Sequence, residues 1–110
     1  MIYKGGDKDW ATKTPKAEME AAMQRWGQWM QALTEKDQLV TGGSPLEYTG
    51  KNLTKDGVIT DITASEIKEL VTGYSIIRAE DFDQAVSIAK DCPIFQYPNI
   101  TVERRPIHQM

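Results

Sequence analysis

A chain of 110 residues is the length of one domain, and 40% hydrophobic with 26% charged residues is the balance of a folded protein, not a disordered one. The net charge of −3, with Arg104 and Arg105 as the only adjacent arginine pair, argues against nucleic acid as a partner, because phosphate binding needs clustered Lys and Arg. Cys92 is the only cysteine, which excludes an internal disulfide and a cysteine zinc cluster and points to a reducing cytoplasm; no window reaches the roughly 18 apolar residues of a membrane span.

Residues 1–4 read as a strand stopped by Gly5 and Gly6. Core strands usually run about five or six residues. This one therefore reads as cut short, with upstream residues missing from the start or supplied by expression-tag sequence. Residues 7–13 read as a loop, with Trp10 folded back as a lid or an edge plug. The first helix is the clearest local signal. Thr14 is the expected N-cap and Pro15 the first helical residue, where its missing N–H costs nothing. Met19, Met23, Trp26, Met30 and Leu33 then recur at steps of three and four, widened by Ala22 and Trp29. A stripe this rich in Trp and Met suits either an adaptable ligand pocket or a helix packed on a sheet, and core packing is the commoner use.

Residues 39–46 read as a short extended piece and a tight turn. Gly42 and Gly43 lack the spacing of a phosphate-cradling loop, so a structural turn is expected. Residues 52–60 read as a hairpin around Asp56 and Gly57, a favoured pair for a type I′ turn. Asp61 ends its second strand. Thr63 and Glu66 have capping-box spacing, predicting a helical turn over Ile67, Leu70 and Val71 that Gly73 stops. Residues 74–78 form a central strand. Asp81 caps the last helix with Gln84 three residues on; Phe82, Ala85, Val86, Ile88 and Ala89 face inward, and Cys92 and Pro93 end it. Residues 100–106 alternate apolar and polar as a closing strand.

Strand, helix, hairpin, strand, helix, strand is an α+β arrangement: one antiparallel sheet with helices on one face. Its other face would be an apolar patch too large for a comfortable monomer, and a two-fold dimer, sheet against sheet, is the simplest cover.

The run GVITDITASEIKELVTGYSII, followed by RAEDFDQAVSIAKDCPIF and ITVERRPI, resembles the YCII-related proteins, specifically the DGPF branch. The first helix, KAEMEAAMQRWGQWM, and LVTGGSPL are similar too, so the likeness spans nearly the whole of residues 1–110 as a single domain. The resemblance implies a ferredoxin-like protomer that pairs into a dimeric α+β barrel, in a bacterial, cytoplasmic protein. It carries no settled activity. Members are often encoded beside extracytoplasmic-function sigma factors, which implies a regulatory interaction. In this chain the DGPF tetrapeptide stands as Asp61, Ile62, Thr63 and Ala64, so only the Asp matches. The His–Asp pair proposed as catalytic in some relatives has no counterpart, because the single histidine, His108, lies in the C-terminal tail.

Asp61 is the catalytic candidate. At the end of an apolar strand, at the barrel mouth, partial burial would suit its carboxylate to acid–base work; equally, it could accept backbone N–H bonds as a turn or cap. Trp26, Trp29 and Tyr74 are the expected ligand-pocket residues, and Arg105, with Arg104, could pair with an anion. Tyr74 and Arg105 equally suit a strand residue with a wet tip and a rim charge. Cys92, with no nearby cation to hold a thiolate, reads as buried and inert. No metal site or cofactor is expected, since no His or Cys cluster has ligand spacing. The expected function is a small-molecule-binding homodimer, with a cofactor-free enzyme using Asp61 and a sigma-factor-linked interaction protein as alternatives.

Overall fold

The structure is a computed structural model and describes residues 1–62 and 69–108. In chain order it contains β1 (Ile2–Gly5), α1 (Trp10–Lys13), α2 (Lys16–Glu35), β2 (Leu39–Thr41), β3 (Lys51–Leu53), β4 (Ile59–Asp61), β5 (Val71–Tyr74), β6 (Ile76–Ile77), α3 (Phe82–Lys90), a 3₁₀ turn (Pro93–Gln96) and β7 (Ile100–Glu103). β1 lies between β5 and β7 and is antiparallel to both, with Tyr3 opposite Gly73 on one side and Val102 on the other. Ser75 alone separates β5 from β6, so residues 71–77 act as one bent strand whose far edge pairs with β2. The order across the sheet is β2, β5 with β6, β1, β7, and α2 and α3 fill the two crossovers. This is the ferredoxin-like α+β arrangement.

Both helices pack on one face. Tyr3 is buried among Trp29 and Leu33 of α2, Ile88 of α3, Cys92 and Ile94, with Trp26, Met30, Leu39, Ile77, Ile100 and Val102 around them. The period of two along a strand places the neighbours of these residues on the opposite side. That outer face carries Ile2, Lys4, Val40, Val71, Tyr74, Ile76, Thr101 and Glu103, and Val40 and Val71 are 52% and 41% exposed.

Several local expectations are corrected. Residues 10–13 form a helical turn, not a loop; an Asp7–Lys13 ion pair braces it and Trp10 meets Tyr97 edge-on at 4.8 Å. Thr14 therefore ends that turn, and Pro15, with ψ at 148°, is the N-cap of α2, one residue later than predicted. Met23 lies off the stripe at 67% exposed, while Ala22, Trp29 and Leu33 are buried.

The hairpin does not join the main sheet. β3 and β4 form their own ladder and are exposed throughout; Lys51, Asn52, Thr60 and Asp61 leave Leu53 opposite Ile59 as its one apolar pair, too little to bury. The fourth strand of the main sheet is β2 instead. The turn is not type I′: Gly57 has φ +86°, whereas Asp56 is not among the positive-φ residues. Gly57 N–H donates to Thr54 O at 3.0 Å and Thr54 N–H to Val58 O at 2.9 Å, a type I turn closed by a left-handed glycine. Gly73 stops no helix; it lies inside β5, against Tyr3 and the Ser44–Pro45 backbone. The predicted capping box at residues 63–66 lies outside the described residues.

At α3, Asp81 caps as predicted, accepting from Gln84 N–H at 2.8 Å, and Gln84 Oε1 accepts from Glu80 N–H at 2.6 Å. Phe82, predicted inward, is 62% exposed. As the first residue of the helix it precedes the buried positions Ala85 and Ile88 and meets Arg104, whose guanidinium lies 3.7 Å from its ring centre.

Candidate functional site

The alternation of β1 and β5 that buries Tyr3 and Ser75 turns Ile2 and Tyr74 outward. Beneath them, Tyr3 Oη donates to Ser75 Oγ at 2.6 Å, Ser75 Oγ donates to Gly42 O at 2.8 Å, and Cys92 Sγ lies 3.5 Å from Tyr3 Oη. Burial pushes the Tyr3 hydroxyl and the Cys92 thiol above their ordinary pKa values, so both stay protonated at neutral pH. Cys92 is buried, as predicted. Gly42 and Gly43 make the expected structural turn: a side chain at Gly43 would collide with the Tyr74 carbonyl, and its φ is +73°. The turn thus fixes β5 from behind.

A wide open hollow of about 890 Å³ lies where β1 begins, between β6 and residues 104–107 and under the start of α3. Val40, Tyr74, Ile76 and Phe82 supply apolar walls, and Arg78, Arg104 and Arg105 bring positive charge. Arg104 is spread over Phe82, and Arg78 reaches the Asp37 carboxylate at 3.1 Å. The acid in the lining, Asp81, is engaged by the N-terminus of α3. An apolar wall with an excess of arginine suits an organic anion.

Tyr74 and Arg105 both line this hollow, whereas the other three candidates lie elsewhere. Trp26 and Trp29 sit on the helix face. Trp26 Nε1 donates to Tyr97 Oη at 2.9 Å, and the two indoles meet edge-on at 5.8 Å, which is core packing. Trp29 also borders a smaller surface recess with Arg25, Gln28, Asp91 and Pro93. Asp61 ends β4 in solvent, its side chain 78% exposed and 2.5 Å from Lys51 Nζ, so the partial burial expected for it is absent. Sequence reasoning named Arg104 beside Arg105 but missed Phe82 and Ser75 as parts of the same neighbourhood. Ser75 could have been found: it is a polar residue inside an apolar strand, two places from Gly73, on the buried side. Among the described residues no group of His, Cys, Asp and Glu could hold a metal ion, and no helix is long and apolar enough to cross a membrane.

Fold and site together define a ferredoxin-like α+β protein with an anion-friendly hollow at one end of its sheet. Comparison with protein families gives the affiliation: the YCII-related domain matches residues 8–110, and the chain belongs to that family. No curated protein matches it.

Proposed function

We propose that this YCII-related protein is a cytoplasmic homodimer that closes its outer sheet faces on each other and binds a small, negatively charged organic molecule. The observation that carries this reading is the outer face itself: half-buried Ile2 and Ile76 lie there with exposed Val40, Val71 and Tyr74, uncovered among the described residues, and the face runs into the arginine-bearing hollow. A second copy is the simplest cover for such a face and would roof the ligand beside Tyr74 and Arg105. Binding is favoured over turnover because Asp61, the acid–base candidate, stands in solvent beside Lys51 and does not line the hollow.

The test is sedimentation of the dilute protein together with a thermal-shift screen of metabolites. A dimer stabilised by carboxylates or phosphates, and less so when Arg105 is changed to Gln, supports the reading, since native-state ligands raise the melting temperature. A monomer indifferent to every anion overturns it.

A further inference from the structure

Beyond the ligand reading, we propose that the recess between α2 and the corner after α3 binds a free α-amino acid as its zwitterion. The recess holds about 370 Å³ and shares no residue with the arginine-bearing hollow. Arg25, Gln28 and Trp29 of α2 supply one side of its lining, and Asp91 and Pro93 supply the other. A positive and a negative side chain thus border one small space, and they make no ion pair with each other.

The positive side is prepared for a carboxylate. Arg25 Nη1 donates to Gln96 Oε1 at 2.7 Å, which holds the guanidinium in place and leaves its other N–H groups for a ligand. One turn along α2, Trp29 is nine-tenths buried, and its Nε1 is a buried donor with no acceptor among the described residues. Gln96 Nε2, on the residue that holds Arg25, is a second such donor. Buried N–H groups without partners are rare because each carries a standing desolvation penalty. Two of them around one arginine describe a seat whose acceptor comes from outside the chain.

The negative side has the opposite need. Asp91 is the C-cap of α3, the end where backbone carbonyls gather negative charge and a cation is favoured over a carboxylate. Its side chain has no ion pair among the described residues. An ammonium group brought there would answer both the carboxylate and the helix end. Side chains that run against their local electrostatics are expected where a ligand completes them. An α-amino acid carries both groups on one carbon: its carboxylate would lie on Arg25 and accept from the Trp29 indole, and its ammonium would donate to Asp91. Pro93 is the one aliphatic residue in the lining, so recognition rests on the charged ends more than on the ligand's side chain.

The experiment follows the indole N–H resonances of the full, nitrogen-labelled chain by NMR while L-alanine is added, with Trp29→Phe to assign the Trp29 signal. N-acetylalanine, which lacks the ammonium, and alaninamide, which lacks the carboxylate, are titrated alongside. L-alanine should move the Trp29 signal saturably and leave that of Trp10 in place, and each one-ended analogue should bind about tenfold more weakly or worse. Arg25→Gln and Asp91→Asn, both at exposed positions, should each weaken L-alanine binding by about tenfold, the scale of one hydrogen bond to a charged group, without lowering the melting temperature. A Trp29 signal that never moves, an equal response to either analogue, or variants that bind as tightly as the parent would overturn the proposal. Tyr74 and Arg105 take no part in these readouts, so they can fail while the hollow binds its anion, and the reverse.

Discussion

The two faces of the sheet are built from alternate residues of the same strands, yet they do different work. On the helix face Tyr3 is buried and hydrogen-bonded to Ser75, and α2 and α3 close over it. One residue away, Ile2 sits on a face that no element among the described residues covers, beside Tyr74 and Ile76. The buried core of the single chain therefore lies on one side, and the other side is where the proposed dimer would form. Substitutions that respect this division should separate folding from association.

The largest effect belongs to the helix face. Leu33→Ala, at a buried position facing Tyr3 and Ile88, should cost about 2–5 kcal/mol in denaturant unfolding. An equal loss from an outer-face truncation such as Val71→Ala would erase the contrast. Alkaline pH should act on the same side. Tyr3 and Cys92 have folded pKa values raised chiefly by burial, so the unfolded chain releases their protons first. Their contribution is whole below the ordinary values and fades as pH rises through about 8.5 for Cys and about 10 for Tyr. Unfolding midpoints measured from pH 7 to 11 should fall in that window, and Tyr3→Phe should flatten the decline.

Ser75→Ala removes the group that accepts from Tyr3 and donates to Gly42, and should cost about 1–3 kcal/mol because the partners stay buried. On the outer face the sign of interest changes. Val71→Asp should alter single-chain unfolding by no more than about 0.5 kcal/mol, as exposed substitutions do. Sedimentation should nevertheless show the proposed dimer lost; a dimer that survives this charge would mean the copies meet elsewhere. The smallest effect is expected at Asp61→Asn, which removes an exposed ion pair with Lys51 worth at most about 1 kcal/mol. A loss of turnover or of ligand affinity in that variant, with the melting temperature unchanged, would restore Asp61 to the site.

What could be read from the residues was what depends on local chemistry. The Asp81 cap, the Trp29–Leu33 stripe and the alternating closing strand each follow from a short-range pattern, and together they set the α+β layers. The misreadings arose where tertiary competition decides. Nothing local says that the hairpin at residues 51–61 stays outside the sheet while the three residues of β2 take the edge. Phe82 looked inward because it is apolar at a helix start; Arg104, more than twenty residues later, holds it at the surface. Asp61 reads as a barrel-mouth residue because it ends an apolar strand; the detached hairpin carries it into solvent instead. Tyr74 and Arg105 stand out singly in the sequence as pocket candidates; that β5 and the segment after β7 bring both to one hollow is decided by the tertiary fold.

The central position of β1 also bears on how the protein is made. Its neighbours on both sides, β5 and β7, are encoded some seventy and one hundred residues downstream. As the nascent chain leaves the ribosome, α2 can form early from its own contacts, while β1 waits with two open edges for partners not yet translated. Closure of the sheet is thus deferred until translation reaches β7, and loop-closure entropy slows it further. During that interval the exposed edges are where a chaperone or an aggregating neighbour would first take hold.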